Sequence, residues 1–202
     1  MEPSPDNAKV RDGYDQVAER YEAERKQQEV HPRLTELLAR IRPGSRVLGV
    51  GCGAGIPISS HVANKGHRVI GVDISPRQIE LARTNVPDGE FMVRDMLDLK
   101  QGEFEVDAVF SFYAVFHTPR ESHAPILSVF ASFLSEGGLL LVTMGAEEWE
   151  GGEDFFGAPM WWSHYGAKKN RQIVESSGFD VISDEIDPSG GERHQVIFAR
   201  KR

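Results

Sequence analysis

The chain reads Val47-Leu48-Gly49-Val50-Gly51-Cys52-Gly53-Ala54-Gly55 between a short apolar strand and a helix. Glycines at alternating positions permit positive φ angles and let a ligand approach the backbone with no Cβ in the way. In open α/β sheets, ligands bind at the carboxyl ends of the strands, which is where this turn falls. The segment therefore predicts an α/β domain with a ligand-binding turn after its first strand.

The glycine spacing argues against a nicotinamide dinucleotide as that ligand. Counted from Gly51, the G-x-G-x-x-G fingerprint needs its third glycine at the position that holds Ile56. The spacing instead suits a cofactor without phosphate groups. A glycine-rich turn that binds no ligand is the alternative.

Strands and helices alternate along the rest of the chain. Strands are predicted over Arg46–Val50, Arg68–Asp73, Glu90–Arg94, Val106–Phe112, Leu139–Thr143, Phe179–Ile186 and Gln195–Arg200, and helices over Ile58–Lys65, Pro76–Asn85, Ser122–Leu134 and Ala167–Ser177. This alternation implies parallel strands joined by right-handed crossovers, with helices on both faces of the sheet. The connection between the last two strands is too short for a helix, so that pair should be antiparallel.

Two more helices are predicted before the first strand. The first carries an apolar stripe at helical spacing, formed by Val10, Tyr14, Val17, Ala18 and Tyr21. The second runs over His31–Ile41, with Pro32 in its first turn and Pro43-Gly44 after its end. We expect one domain over residues 1–202, with residues 1–42 forming lid helices.

Composition narrows the class of protein. Hydrophobic residues make up 40% of the chain and charged residues 27%, and no apolar run is long enough to span a membrane or to form a secretory signal. The single cysteine, Cys52, excludes an internal disulfide and a multi-cysteine zinc site, and we expect no metal. The net charge of −8 argues against a nucleic-acid substrate. A cytoplasmic enzyme is expected.

Two aspartates end successive strands beyond the glycine turn. Asp73 ends the second strand, where a carboxylate can accept hydrogen bonds from vicinal ribose hydroxyls. Its alternative role is to cap the helix that follows. Asp95 ends the third strand, where it can hold an adenine edge while Ile74 and Met96 cover the faces of the ring.

Four segments in this order resemble the successive motifs of class I S-adenosylmethionine-dependent methyltransferases: Gly51-Cys52-Gly53-Ala54-Gly55, Gly71-Val72-Asp73-Ile74-Ser75, Arg94-Asp95-Met96 and Leu134-Ser135-Glu136-Gly137-Gly138. The resemblance covers about residues 8–200. It implies a Rossmann-like, seven-stranded mixed sheet with a reversed last strand. It also implies S-adenosylmethionine as the cofactor, S-adenosylhomocysteine as the product, and cofactor contacts from Tyr14, Tyr21, Gly49, Gly51, Cys52, Gly53, Asp73, Ile74, Asp95, Met96 and Phe112.

One position departs from the family pattern. Methyltransferases of this class usually carry an acid two residues before the first glycine, and this chain has Gly49 there. The acid helps to hold the methionine ammonium of the cofactor. Loss of such a charge-assisted hydrogen bond costs about 1.5–3 kcal/mol of binding free energy. Either another group compensates for the missing acid, or the cofactor binds weakly.

The acceptor side is expected after the fourth and fifth strands. Two further segments, Phe116-His117-Thr118-Pro119-Arg120-Glu121 and Met160-Trp161-Trp162-Ser163-His164, resemble those of small, mostly uncharacterised methyltransferases. His117 and His164 are the candidate catalytic residues. The candidate acceptor contacts are Tyr113, Trp161 and Trp162. The two tryptophans lie in an expected acceptor-side loop insertion over residues 145–165. Surface and packing roles remain the alternatives for all of them.

The sequence thus predicts O- or N-methylation of a small-molecule acceptor by a monomer or homodimer that binds neither nucleic acid nor membrane. Two other functions stay open. One is a cofactor-binding protein with little or no catalysis. The other is a cyclase-type enzyme that uses the same fold.

Overall fold

The computed structural model describes residues 5–189 and 193–202. Its helices are α1 (Pro5–Arg25), α2 (Pro32–Arg40), α3 (Ile58–Asn64), α4 (Pro76–Asn85), α5 (His123–Ser132) and α6 (Ala167–Ser176). Its strands are β1 (Arg46–Val50), β2 (Arg68–Asp73), β3 (Glu90–Val93), β4 (Val106–Ser111), β5 (Leu134–Gly145), β6 (Trp149–Phe155), β7 (Ala158–His164), β8 (Phe179–Asp187) and β9 (His194–Lys201). No helix within the described ranges is both long and apolar enough to cross a bilayer.

Seven strands form one mixed sheet in the order β3-β2-β1-β4-β5-β9-β8. The pairs from β3 to β5 are parallel, whereas β9 runs antiparallel to both β5 and β8. The predicted Rossmann-like architecture is therefore confirmed. Strand order reverses between β1 and β4, and the crevice outside the carboxyl ends of these two strands is where open α/β sheets bind ligands.

Alternate side chains of the central strands pack into two apolar layers, one on each face of the sheet. Leu48 and Val50 of β1 pack in the layer that α5 and α6 cover, whereas Val47 packs in the layer beneath α2, α3 and α4. All three side chains are fully buried. Because both faces are covered, the carboxyl ends of the strands are held as a fixed edge on which a site can be built.

The structure corrects the sequence prediction at β5. The predicted helix up to Leu134 ends at Ser132, and the strand predicted to begin at Leu139 already begins at Leu134. Leu134 pairs with Val106 of β4, and the register then shifts so that Leu139 pairs with Ala108. The shift in register falls where Gly137 and Gly138 lie, and the sequence pattern had indicated these two glycines as the end of a helix before a strand.

A second correction concerns the predicted loop insertion over residues 145–165. Most of it is a hairpin of β6 and β7, which pair antiparallel from Trp149↔His164 to Phe155↔Ala158. Its two turn residues, Phe156 and Gly157, have φ angles of 55° and 84°, as two-residue hairpin turns require. The strand β6 was missed because its sequence is acidic and carries two glycines, a composition that disfavours strands.

Helix α1 lies across the carboxyl edge of the sheet and is anchored along its length by polar contacts. The Asn7 amide donates to Asp95 at 2.7 Å, the backbone N–H of Arg77 donates to Asp15 at 3.1 Å, and the Asn85 amide donates to Glu22 at 2.7 Å. The buried apolar side chains of the helix, Val10, Val17 and Ala18, belong to the stripe expected from the sequence. The helix therefore roofs the space above β1, β2 and β3.

Candidate active site

Two adjoining cavities lie at the carboxyl edge of the sheet. The first is a narrow space of about 80 Å³ under α1, and the second is an open cleft of about 750 Å³ beside it. Seven residues line both: Tyr14, Tyr21, Arg25, Ile58, Phe112, Tyr113 and His117. The two spaces therefore share one wall, and the cleft has the size of an ordinary small-molecule site.

The glycine turn forms the floor of the narrow cavity. Gly51 has a φ angle of 68°, and a Cβ at this position would lie 2.2 Å from the Cβ of Ala114, so only glycine fits there. The backbone N–H groups of Gly51 and Cys52 both donate to the carbonyl of Val72, which ties the turn to β2. Burial raises the pKa of the Cys52 thiol, so this side chain is a small lining group and not a nucleophile.

Asp73 lies buried at the end of β2, next to this turn. One carboxylate oxygen accepts from the backbone of Ser75 at 2.9 Å and the other from the backbone of Gly53 at 2.8 Å. Burial raises the pKa of Asp73 to about 6. The cap of α4 is Ser75, whose hydroxyl accepts from Gln78, so the helix-cap alternative for Asp73 is wrong. Asp73 lines the narrow cavity, where its carboxylate can accept from a bound ligand.

A second carboxylate, Asp95, lies at the other end of the cavity. One of its oxygens accepts from the backbone of Leu97 at 2.9 Å, and the other is the partner of Asn7 in α1. Ile74 and Met96 line the cavity beside it. This end therefore combines a hydrogen-bond acceptor with two apolar side chains, which suits the edge and faces of a flat heterocycle.

Gly49 does not line either cavity, in contrast to its predicted role. A Cβ built on Gly49 would lie 2.4 Å from the ring of Phe110, its neighbour across the β1–β4 pair. Phe110 is buried and itself lines the narrow cavity. The volume that an acid at position 49 would need is thus filled by an aromatic ring, and Gly49 is removed from the expected cofactor contacts.

His117 lies in the shared wall with both ring nitrogens engaged. Its Nδ1 is 2.8 Å from the carbonyl of Trp161, and its Nε2 is 2.9 Å from the hydroxyl of Tyr14. Because a carbonyl only accepts, Nδ1 carries the proton and Nε2 accepts from Tyr14. Burial lowers the pKa of His117 to about 4, so the ring is neutral around pH 7.

Tyr113 is held in an uncommon backbone conformation where β4 ends. Its φ angle is 56°, and its backbone N–H donates to the hydroxyl of Thr143. The ring stands edge-on to His194 at 4.8 Å between centroids, and the guanidinium of Arg25 lies 5.1 Å from its centre. Positive φ in a bulky residue is costly and is typical of functional sites. The conformation directs this ring into the wall between the cavities.

Trp162 and Trp161 separate because β7 is a strand. Trp162 lines the cleft, with its ring 5.4 Å from that of His117, whereas Trp161 lines neither cavity. Successive side chains of a strand point to opposite faces, so only one of two adjacent tryptophans can face the cleft. Trp161 instead contributes its backbone carbonyl to His117, and its side chain lies outside the cleft in which its acceptor contact was predicted.

His164, the other predicted catalytic residue, makes its hydrogen bond outside the cavities. His164 lines neither cavity, and its Nδ1 donates to the carbonyl of Glu147 at 2.6 Å. A Cβ on Gly145 would lie 1.9 Å from that nitrogen, so the imidazole is packed flat against the backbone of β5. The ring stabilises the start of the hairpin.

Several cavity residues were missed from the sequence, namely Glu22, Arg25, Gln78, Phe155 and His194. Arg25 follows Tyr21 by one helical turn, a spacing that extends the stripe of α1 and was a usable signal. Gln78 is 1% exposed, and its amide atoms have no hydrogen-bond partner among the described residues. For Phe155 and His194 no local signal existed, because the hairpin and the reversed strand bring them to the cleft.

Part of the chain is similar in sequence to known proteins. Residues 47–138 match the family described as a methyltransferase domain. A ubiquinone biosynthesis O-methyltransferase of Xanthomonas campestris is 33% identical over 119 residues, which are 55% of this chain and 48% of that protein. The chain spans less than half the length of the first curated relatives that it matches.

Solved structures extend the likeness over the whole length. A magnesium protoporphyrin IX methyltransferase from Synechocystis PCC 6803 with bound S-adenosylmethionine has a TM-score of 0.77 at 18% identity, covering 100% of both chains. A 1,6-didemethyltoxoflavin-N1-methyltransferase from Burkholderia thailandensis has a TM-score of 0.77 at 17% identity, covering 100% of this chain and 92% of that one. The chain thus shares the fold of these solved structures throughout, and residues 47–138 match the methyltransferase-domain model in sequence.

Proposed function

We propose that the protein transfers a methyl group from S-adenosylmethionine to a small-molecule acceptor and releases S-adenosylhomocysteine. The observation that carries this proposal is the shared wall of the two cavities. Methyl transfer is an in-line displacement, so donor and acceptor must meet within a short distance and along one line. A buried pocket and an open cleft separated by a single layer of side chains supply that arrangement.

The narrow cavity suits the cofactor. We assign Asp73 to the ribose hydroxyls, Asp95 with Ile74 and Met96 to the adenine, and the backbone at Gly51, Cys52 and Gly53 to the methionine end. The fit rests on the buried carboxylate of Asp73 in the cavity wall, on the positive φ at Gly51, and on the unpartnered amide of Gln78 inside the cavity. Tyr14, Tyr21 and Phe112 close the pocket from above and from the side of the cleft.

The cleft suits the acceptor, with Tyr113 and Trp162 as its contacts. When bound, the cofactor supplies a methyl group on a positively charged sulfur. The chain itself aligns the acceptor with that group and offers His117 Nε2 as a proton acceptor, since Nδ1 is fixed on Trp161. Aromatic faces around a sulfonium also stabilise its charge.

The names of the relatives support a small molecule as the acceptor, because they include the ubiquinone biosynthesis and magnesium-protoporphyrin O-methyltransferases. The acidic net charge supports the absence of a nucleic-acid substrate. We propose a cytoplasmic monomer or homodimer, in keeping with a single buried cysteine.

Calorimetry with S-adenosylmethionine, S-adenosylhomocysteine and NAD tests the cofactor assignment. The first two should bind and NAD should not, and tight binding of NAD alone would refute the proposal. Asp73→Asn should weaken S-adenosylhomocysteine about tenfold or more, because the hydroxyls lose a charged acceptor. Arg20→Gln, a change in an exposed side chain of α1, is the control.

A turnover assay distinguishes the proposed methyl transfer from the two alternatives, a non-catalytic binding protein and a cyclase-type enzyme. Incubation with labelled cofactor and a pool of small metabolites should release S-adenosylhomocysteine together with a labelled product. Cofactor binding without turnover would identify a non-catalytic binding protein. Conversion of a metabolite without release of S-adenosylhomocysteine would identify a cyclase-type enzyme.

A further inference from the structure

The proton-accepting nitrogen of His117 is hydrogen-bonded to the phenol group of Tyr14. The hydroxyl of Tyr14 lies 2.9 Å from Nε2 of His117, and the two rings stand at 90° with their centroids 5.4 Å apart. Tyr14 belongs to α1, whereas His117 follows β4, so the contact joins the roof to the sheet. The geometry is that of a phenol hydroxyl donating to a neutral imidazole.

His117 is fixed from its other sides. Trp161 holds Nδ1 through its carbonyl, and the rings of Phe116 and Trp162 pack at 5.1 Å and 5.4 Å from the imidazole. His164 and His194 are close enough to add to the lowering of its pKa. Because the ring cannot turn without breaking the Trp161 contact, Nε2 has one direction in which it can accept a proton.

The rest of the cleft is built for flat apolar groups. Phe155 contacts Tyr14 edge-on at 5.9 Å and Trp162 edge-on at 6.0 Å, and Phe116 stacks on His194 at 5.5 Å. Edge-to-face and stacked pairs of this kind accept a further ring at similar spacing. The cleft therefore offers aromatic walls around one proton-accepting nitrogen.

We propose that the acceptor is a phenol, and that its reacting hydroxyl takes the place of the Tyr14 hydroxyl on His117 Nε2. This inference rests on the proposed function and narrows its acceptor to one class. In the step, the phenol proton passes to Nε2 while a bond forms between the phenol oxygen and the methyl carbon. The carbon–sulfur bond breaks with its electron pair going to sulfur, and His117 then releases the proton to solvent.

A weakly basic His117 matches this class of acceptor. Its pKa of about 4 makes it a poor base for an alkyl alcohol, whose proton is far less acidic than that of a phenol. The Tyr14 contact is already a phenol at the required place. The acceptor has to displace this internal hydroxyl, which lowers its apparent affinity by about the free energy of that hydrogen bond.

The test uses 4-nitrophenol and 4-nitroanisole, two ligands of similar shape of which only the first carries a hydroxyl. Both are titrated into the S-adenosylhomocysteine complex at a pH where the phenol is protonated. Tyr14→Phe removes the competing hydroxyl, so 4-nitrophenol should bind about three- to tenfold more tightly while 4-nitroanisole is unchanged. Tyr165→Phe, the same change outside both cavities, is the matched control.

Equal gains for both ligands, or an unchanged or weaker affinity for 4-nitrophenol, would overturn the inference. His117→Leu removes the acceptor and should abolish the preference for 4-nitrophenol over 4-nitroanisole, and a retained preference would also overturn the inference. Thermal unfolding verifies that each variant is folded. S-adenosylhomocysteine affinity is measured in the same variants, so a failure of the proposed cofactor is seen separately from a failure of the phenol assignment.

Discussion

At the scale of single residues, Gly49 and Phe110 act as one unit. The ring of Phe110 occupies the space into which any side chain at position 49 would project. We expect Gly49→Ala to lower the free energy of unfolding by about 1–3 kcal/mol, because a buried ring must shift to admit a methyl group. Denaturant titration measures this, with Gly166→Ala as the control, since a Cβ there meets only ordinary contacts.

The packing of Phe110 against Gly49 also changes the effect that we expect from an acid at position 49. Gly49→Asp introduces the acid that the family resemblance implies for this position, yet it should destabilise this protein by more than Gly49→Ala, because it also buries a charge. Combining it with Phe110→Ala should recover part of the loss. Tighter binding of S-adenosylmethionine by the Gly49→Asp variant would contradict this account.

Asp73 predicts how cofactor binding depends on pH. Its pKa of about 6 is raised by burial, and ribose hydroxyls need the charged carboxylate as acceptor. S-adenosylhomocysteine affinity should therefore fall as the pH is lowered through 6. Calorimetry at several pH values checks this, and a titration with the same shape in Asp73→Asn would assign the dependence to another group.

The same raised pKa has an opposite effect on the stability of the protein without cofactor. The folded state binds a proton more tightly than the unfolded chain, so the contribution of Asp73 is favourable at low pH and is lost as the pH rises through about 6. Asp73→Asn should therefore raise the melting temperature at pH 8 while weakening cofactor binding. A lower melting temperature would show that the backbone contacts of the carboxylate outweigh its burial.

At the scale of elements, α1 supplies charged side chains to the cavities, whereas β1, with Gly49, supplies no acid there. Arg25 lines both cavities, and Glu22 of the same helix lines the narrow one. We expect Arg25→Gln to weaken S-adenosylhomocysteine about tenfold to a hundredfold, because the cofactor carboxylate loses a charged partner. Methylthioadenosine, which lacks that carboxylate, should bind equally to both proteins. Arg20→Gln is again the control.

The helices and strands also show how much of the fold could be predicted from the sequence. Strands β1 and β2 and helix α4 have the predicted bounds, because their periodicity, glycines and Ser75 cap all act locally. The hairpin was not predicted, since β6 is a strand through its pairing with β7 and its packing near α1. Local pattern decides an element only where long-range packing agrees with it.

The candidate site divides in the same way. Asp73 and Asp95 could be located from sequence because Asp73 ends β2 and Asp95 lies just beyond the end of β3, both in the parallel part of the sheet. Arg25, Phe155 and His194 reach the cleft from three distant elements, and only the assembled fold brings them together. The placement of His164 outside the cleft also depends on the assembled fold, because its imidazole is hydrogen-bonded to the carbonyl of Glu147.

At the scale of the whole molecule, the proposed cofactor site lies beneath α1, and we expect the helix to move when ligand enters. Residues 26–31, between α1 and α2, are the segment in which that motion can occur. Addition of S-adenosylhomocysteine should slow amide hydrogen exchange in α1. Exchange in α6, which packs on β8 away from both cavities, should not change. Uniform slowing in both helices would indicate global stabilisation instead.

The reversal of β9 also decides where the protein can be attached to something else. This strand starts with His194 beside Gly145 and runs back until Arg200 lies beside Leu139, at the edge of the sheet opposite the cleft. A fluorophore, bead or partner protein joined through Arg202 therefore stands a full strand length away from both cavities. Immobilisation at that end should leave the entry of small molecules unhindered, and a surface-bound enzyme should keep the solution affinity for S-adenosylhomocysteine.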